Sequence, residues 1–102
     1  MSPSDDPVYA GSIFDDTAEL SIHDLSRMCA VDERHIVEFV EEGVLNVVGA
    51  GTEWHFSGAA VRRARLALRL ERDLELNLAG VALALDLIEQ LEHLRRELKA
   101  RR

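Results

Sequence analysis

One run near the C-terminus constrains the fold more than any other feature. From Leu78 to Lys99, positions at Val81, Ala84 or Leu85, Ile88, Leu91, Leu94 or Arg95, and Leu98 recur every three or four residues, nearly all of them apolar. That is the period of a helix with one apolar face. Asn77 stands where its N-cap belongs. At 1.5 Å per residue such a helix spans roughly 33 Å. The whole chain has only 102 residues, a single domain that buries roughly two-thirds of its unfolded surface, and a body that small does not cover the helix along one side. The stripe is therefore expected to pair with the same helix of a second copy, through Val81, Leu85, Ile88, Leu91, Leu94 and Leu98. The alternative is that it folds back as ordinary core. The heptads are imperfect and few, which favours an antiparallel helix pair over a long parallel zipper.

Upstream, two short helices are expected. Ser21, with Asp24 three residues on, reads as the cap of the first, which places Ile22, Leu25, Met28 and Cys29 on one face. Ala30 and Val31 connect to Asp32, a second cap, and Ile36, Val37, Phe39 and Val40 supply the next buried side up to Gly43. Two helices joined by a tight turn form a helix-turn-helix. Val44, Leu45, Val47 and Val48 then suit a strand, Gly49-Ala50-Gly51 a turn and Thr52 to Phe56 a returning strand, together a wing. Ser57 is placed to cap a third helix reaching about Leu74, with Val61, Ala64, Leu68 and Leu66 or Leu70 buried. The fold class is thus mainly α: a winged helix-turn-helix with a short β-hairpin and a long C-terminal pairing helix. The expected layout is a disordered acidic tail over residues 1–18 and one domain over 19–102. Within that domain 19–57 is the winged body, 58–76 the third helix and connection, and 77–102 the pairing helix.

Charge narrows the function. The net charge is -7, which disfavours polyanionic partners unless cations are locally gathered. From Glu19 to Ser57 there are two basic residues, Arg27 and Arg34, against eight acidic ones, and five of those carboxylates sit on or beside the second helix. A DNA reader needs arginine and lysine there to neutralise phosphates. Five arginines do gather in the third helix, at Arg62, Arg63, Arg65, Arg69 and Arg72, but they spread around it among Glu71, Asp73 and Glu75. Nucleic-acid binding is not expected. The first residues lack a basic start and an apolar core, so no signal peptide is expected. No apolar stretch approaches the ~20 residues of a membrane span. With one cysteine, Cys29, no internal disulfide can form. A cytoplasmic protein is the expectation.

Nothing calls for catalysis, a metal or a cofactor. His23, His35, His55 and His93 stand singly, in no metal-ligand spacing. Cys29 falls on an apolar face, and the glycines at 49 and 51 precede neither a helix nor a lysine, as a phosphate-cradling loop requires. Trp54, the only tryptophan, either closes the core under the wing or anchors a partner. The first reading is favoured, and the residue stays a docking candidate.

The order of helix-turn-helix, "EEGVLNV", a glycine-containing hairpin ending "WHF", an arginine-bearing helix and "LELNLAGVALALDLIEQLEHLRREL" resembles the MerR-type winged-helix superfamily. From Trp54 onward the chain looks most like the CbpM chaperone-modulator family. The likeness covers about residues 19 to 100. Where DNA-binding relatives usually carry an aromatic-arginine pair after the wing, this chain has Trp54-His55. The resemblance implies a non-enzymatic inhibitor that binds the J domain of a DnaJ-like co-chaperone of the CbpA type. An acidic patch would meet the positively charged second helix of that domain. Glu38, Glu41, Glu42, Glu53 and Trp54 are the expected contacts, with Asp73, Glu75 and Asp86 as a rival acidic set. A MerR-like DNA-binding transcriptional regulator is the alternative.

Overall fold

The computed structural model describes residues 19–49 and 54–101. The expected tail, most of the expected hairpin turn and Glu53 lie outside the described residues. Four helices follow in order: α1 (Ile22–Cys29), α2 (Glu33–Glu41), α3 (Ala59–Leu74) and α4 (Leu78–Ala100).

Each of the first two helices starts where a short polar side chain can serve free backbone donors. The Ser21 hydroxyl accepts from the Asp24 N–H and the Asp24 carboxylate from the Ser21 N–H, both at 3.0 Å. This reciprocal pair satisfies two groups that the first turn leaves without partners. Ala30 ends α1 in the left-handed region at φ 59, and its N–H donates to the carbonyls of Ser26 and Arg27. That conformation costs a non-glycine residue about 1–2 kcal/mol, and it lets Asp32 begin α2 after a single intervening residue. Asp32 accepts from the His35 N–H at 3.2 Å.

After α2 the chain departs from expectation. Gly43 turns left-handed at φ 80, as a C-terminal cap should. Val44 and Leu45, expected to open a strand, instead both donate their N–H groups to the Phe39 carbonyl, at 2.7 and 3.2 Å. Their side chains are 0% and 2% exposed. The last turn of a helix leaves carbonyls in need of donors, and two apolar residues directly after a cap satisfy that need while entering the core. Pairing resumes only as an antiparallel bridge between Val48 and His55. A second bridge, Leu20 to Phe56, ties the start of α1 to the start of α3. A full hairpin is not seen among the described residues. At α3 the cap is Gly58, not Ser57, and it makes no side-chain hydrogen bond. Ser57 contributes only its carbonyl, which accepts from Ala60 at 3.0 Å.

The core gathers Leu25 of α1, Ile36 and Phe39 of α2, Val44, Leu45 and Phe56 of the connections, and a line of small residues on α3, Ala60, Val61, Ala64 and Ala67. The alanines let neighbouring helices approach closely, and α3 packs on both α1 and α4. From α4 only Val81 and Leu85 are fully enclosed. Among the described residues no helix is long and apolar enough to cross a membrane.

The Ser21 and Asp24 pair gives a pH test. The backbone N–H of Ser21, then its hydroxyl, holds the Asp24 carboxyl below the usual carboxylate range. A folded value below the unfolded one means that its contribution is present at neutral pH and lost as pH falls through the folded value. Urea denaturation of Asp24→Asn should therefore show a deficit at neutral pH that closes on acidification. Ser21→Ala should cost about 1 kcal/mol.

Candidate docking surfaces

On α2, Ile36 and Phe39 are buried, and the opposite side carries Glu38, Glu41 and Glu42 with Arg34, all exposed. Glu38 and Glu42, one turn apart, share a face. The helix is fastened at its flanks: His23 of α1 meets Glu33 at 3.1 Å, and half-buried His35 meets Glu71 of α3 at 2.8 Å. His35 also turns its ring edge toward Phe39, with centroids 4.8 Å apart. Two of the four histidines thus have structural partners that sequence spacing could not reveal. His93 pairs with Glu97 along α4 at 2.9 Å. Of the wing candidates, Trp54 is half-buried against the core, edge-on to Phe56 at 6.5 Å. Glu53 lies outside the described residues.

Two arginines of α3, Arg63 and Arg65, act as fasteners. Arg63 donates from Nε to the Val44 carbonyl at 2.5 Å and reaches Glu89 and, at 3.4 Å, Asp86 of α4. Arg65 donates to the Met28 carbonyl at 3.1 Å, and Arg72 pairs with its neighbour Asp73 at 3.1 Å. Cations spent on intrachain acceptors are poor candidates for tracking phosphates. Burial pushes the Cys29 thiol up, with Arg65 working the other way, which leaves it a weak nucleophile. Among the described residues no group of three or more metal-ligating side chains comes together.

α4 carries two apolar stripes, where the sequence suggested one. Val81 and Leu85 lie in the chain's own core, so the seam expected to begin at them is free only further along; Ile88 is half-buried beside them. Leu91, Leu94 and Leu98 belong to a different face together with Leu87, and these four are 48%, 56%, 64% and 55% exposed. With 100° per residue, Leu94 projects roughly 180° away from Leu85. The spacing of Leu87, Leu91, Leu94 and Leu98 is four, three, four, a regular heptad pattern. It is overlooked when the count is started from Val81. From Leu91 onward every described residue is exposed, so the helix overhangs the body by about 15 Å.

A third feature is an open groove of about 590 Å³, walled by the start of α3, the middle of α4 and the segment from Gly43 to Asn46. Arg63 lies across it. Arg63→Ala would strand the Val44 carbonyl and release α4, and should cost about 1–3 kcal/mol in a urea unfolding experiment.

Comparisons with known proteins agree with this architecture. Residues 20–102 match the family model of MerR HTH family regulatory proteins. The chain is 34% identical over 93 residues to the chaperone modulatory protein CbpM of Coxiella burnetii (strain Dugway 5J108-111), covering 90% of this chain and 88% of that protein. It is 36% identical over 80 residues to the protein of the same name from Pseudomonas putida (strain W619), covering 78% of this chain and 79% of that one. The corresponding protein of Pseudomonas entomophila (strain L48) is 35% identical over 80 residues. An acidic helix-turn-helix body, arginines committed to internal contacts and relatives that bear one name over most of their length lead to one assignment: the chain belongs to the MerR-type helix-turn-helix family and, within it, to the CbpM chaperone-modulator family.

Proposed function

We propose that the protein is a chaperone modulator that binds the J domain of a DnaJ-like co-chaperone and restrains it, acting in the cytoplasm without catalysis or cofactor. The observation that carries this reading is the surface of α2. Where a DNA reader would present cations to phosphates, Glu38, Glu41 and Glu42 stand exposed around the lone Arg34. The family relatives support the modulator role. A J domain offers the complementary charge on its second helix, beside the His-Pro-Asp loop with which it stimulates its Hsp70 partner. Covering that helix would deny the loop to Hsp70. Complementary charge speeds encounter and selects the partner more than it adds affinity. The MerR family match also admits a transcriptional regulator, but that reading must bring α2 carboxylates against a phosphate backbone.

Exposed charge is screened over about 10 Å at 0.1 M salt. Calorimetry against the J domain should therefore show binding that weakens as salt rises, and Glu38→Lys with Glu42→Lys should slow association while helix content is unchanged. Absence of binding at low salt would refute the proposal. A shift of duplex DNA at moderate salt would favour the regulator.

Two copies are proposed to pair through the overhanging leucines. An antiparallel pair can set Leu87 of one copy against Leu98 of the other and Leu91 against Leu94. From Leu87 to Leu98 the seam covers fewer than two heptads, which favours this antiparallel pair over a long parallel zipper. Each leucine buried contributes about 1.5–3 kcal/mol, against the entropic cost of association. Leu91→Asp with Leu94→Asp should halve the mass seen by light scattering and leave the fold intact, because neither residue is in the core. A wild-type monomer at high micromolar concentration would contradict the pairing.

A further inference from the structure

The acidic face of α2 lacks a hydrophobic component, and surface charge alone gives a fast but weak complex. The groove beside it supplies that component. Leu45, Leu66, Leu85 and Ile88 form an apolar floor, and Asp86, Glu89 and Glu92, spaced by three, form one wall along α4. The opposite lip starts at Gly43, directly after Glu41 and Glu42. Arg62 and Arg63 also line the groove, so three lining carboxylates stand against two cations and the lining is net acidic. Arg63 is spent on Val44, Asp86 and Glu89. Glu92, at the outer end, has no ion-pair partner among the described residues.

We infer that this groove seats an amphipathic helix of a basic protein partner, its apolar side chains on the Leu45 to Ile88 floor and its lysines or arginines toward Glu92 on one side and Glu41 and Glu42 on the other. The inference rests on the proposed J-domain reading and names its contact site. Of the rival acidic set only Asp86 lines the cleft; Asp73 and Glu75 do not. A second copy of the chain is the competing occupant. The free leucines of α4, however, project about 180° from Leu85 and the groove, so pairing through them leaves the cleft open.

The test uses the full chain and an isolated J domain as probe. Asn46 is exposed and lines the cleft, so Asn46→Trp should fill it. Glu92→Lys reverses its outer wall. Each should weaken J-domain binding by about tenfold or more, with helix content and subunit mass unchanged. Glu97→Lys, on another side of α4, should bind as the wild type does. Wild-type affinity in Asn46→Trp overturns the groove assignment while the J-domain reading stands. If that variant does not fold, wild-type affinity in Glu92→Lys overturns it instead. Loss of the dimer in folded Asn46→Trp would mean that a second copy occupies the cleft, and that too overturns the inference. A wild-type chain that binds no J domain defeats the underlying functional reading itself.

Discussion

A helix longer than the body that supports it shapes everything else in this protein. α4 runs 23 residues, about 35 Å, yet only Val81 and Leu85 are fully enclosed in the core. They do so because α3 presents Ala60, Val61 and Ala64 toward the packing, small enough for the two helices to lie close. Beyond Leu85 the body falls away. Three consequences come from that single mismatch: an overhang that exposes a heptad of leucines, a cleft where α4 separates from the segment after α2, and an arginine, Arg63, that bridges the cleft. Exposed leucines in such number are costly for a monomer, which is the physical ground for the proposed pairing of two copies.

The second constraint is electrostatic. A helix-turn-helix is a scaffold, and what it binds is decided by the side chains placed on its second helix and wing. Here the second helix carries exposed carboxylates, and two of the third helix's arginines are committed to the carbonyls of Met28 and Val44. Two histidines flanking this surface are themselves engaged, His23 with Glu33 and His35 with Glu71. The fold of a DNA reader is kept while the charge that such a reader needs is absent from its second helix, and a basic protein surface is the complementary partner proposed for it.

Local chemistry was the legible part of the sequence. Ser21, Asp32 and Asn77 each accept from a backbone N–H in the first turn they were expected to cap, because capping depends on residues three apart. Leu25, Ile36, Phe39 and Val61 are buried where the helical period placed them. What escaped were features set by distant partners or by competing local options. Val44 and Leu45 have strand-forming side chains, but the Phe39 carbonyl claims both their N–H groups. The start of α3 passed from Ser57 to Gly58. Apolar periodicity located α4, but it could not separate Val81 and Leu85 from the leucines on the far side, since a helix apolar on two faces yields one dense pattern. Arg63 was visible only as one of five arginines; its role depends on contacts 19 to 26 residues away. The cleft has no sequence signature, because its walls come from three separate segments.

The central claim, that a helix-turn-helix body has become a receptor for a basic protein helix, is tested most directly by hydrogen exchange of the full chain alone, with a J domain and with duplex DNA. The account predicts that the J domain slows exchange from Glu38 to Asn46 and along the middle of α4, and that DNA at the same concentration changes neither. Protection of α2 and the wing by DNA, with none conferred by the J domain, would contradict it.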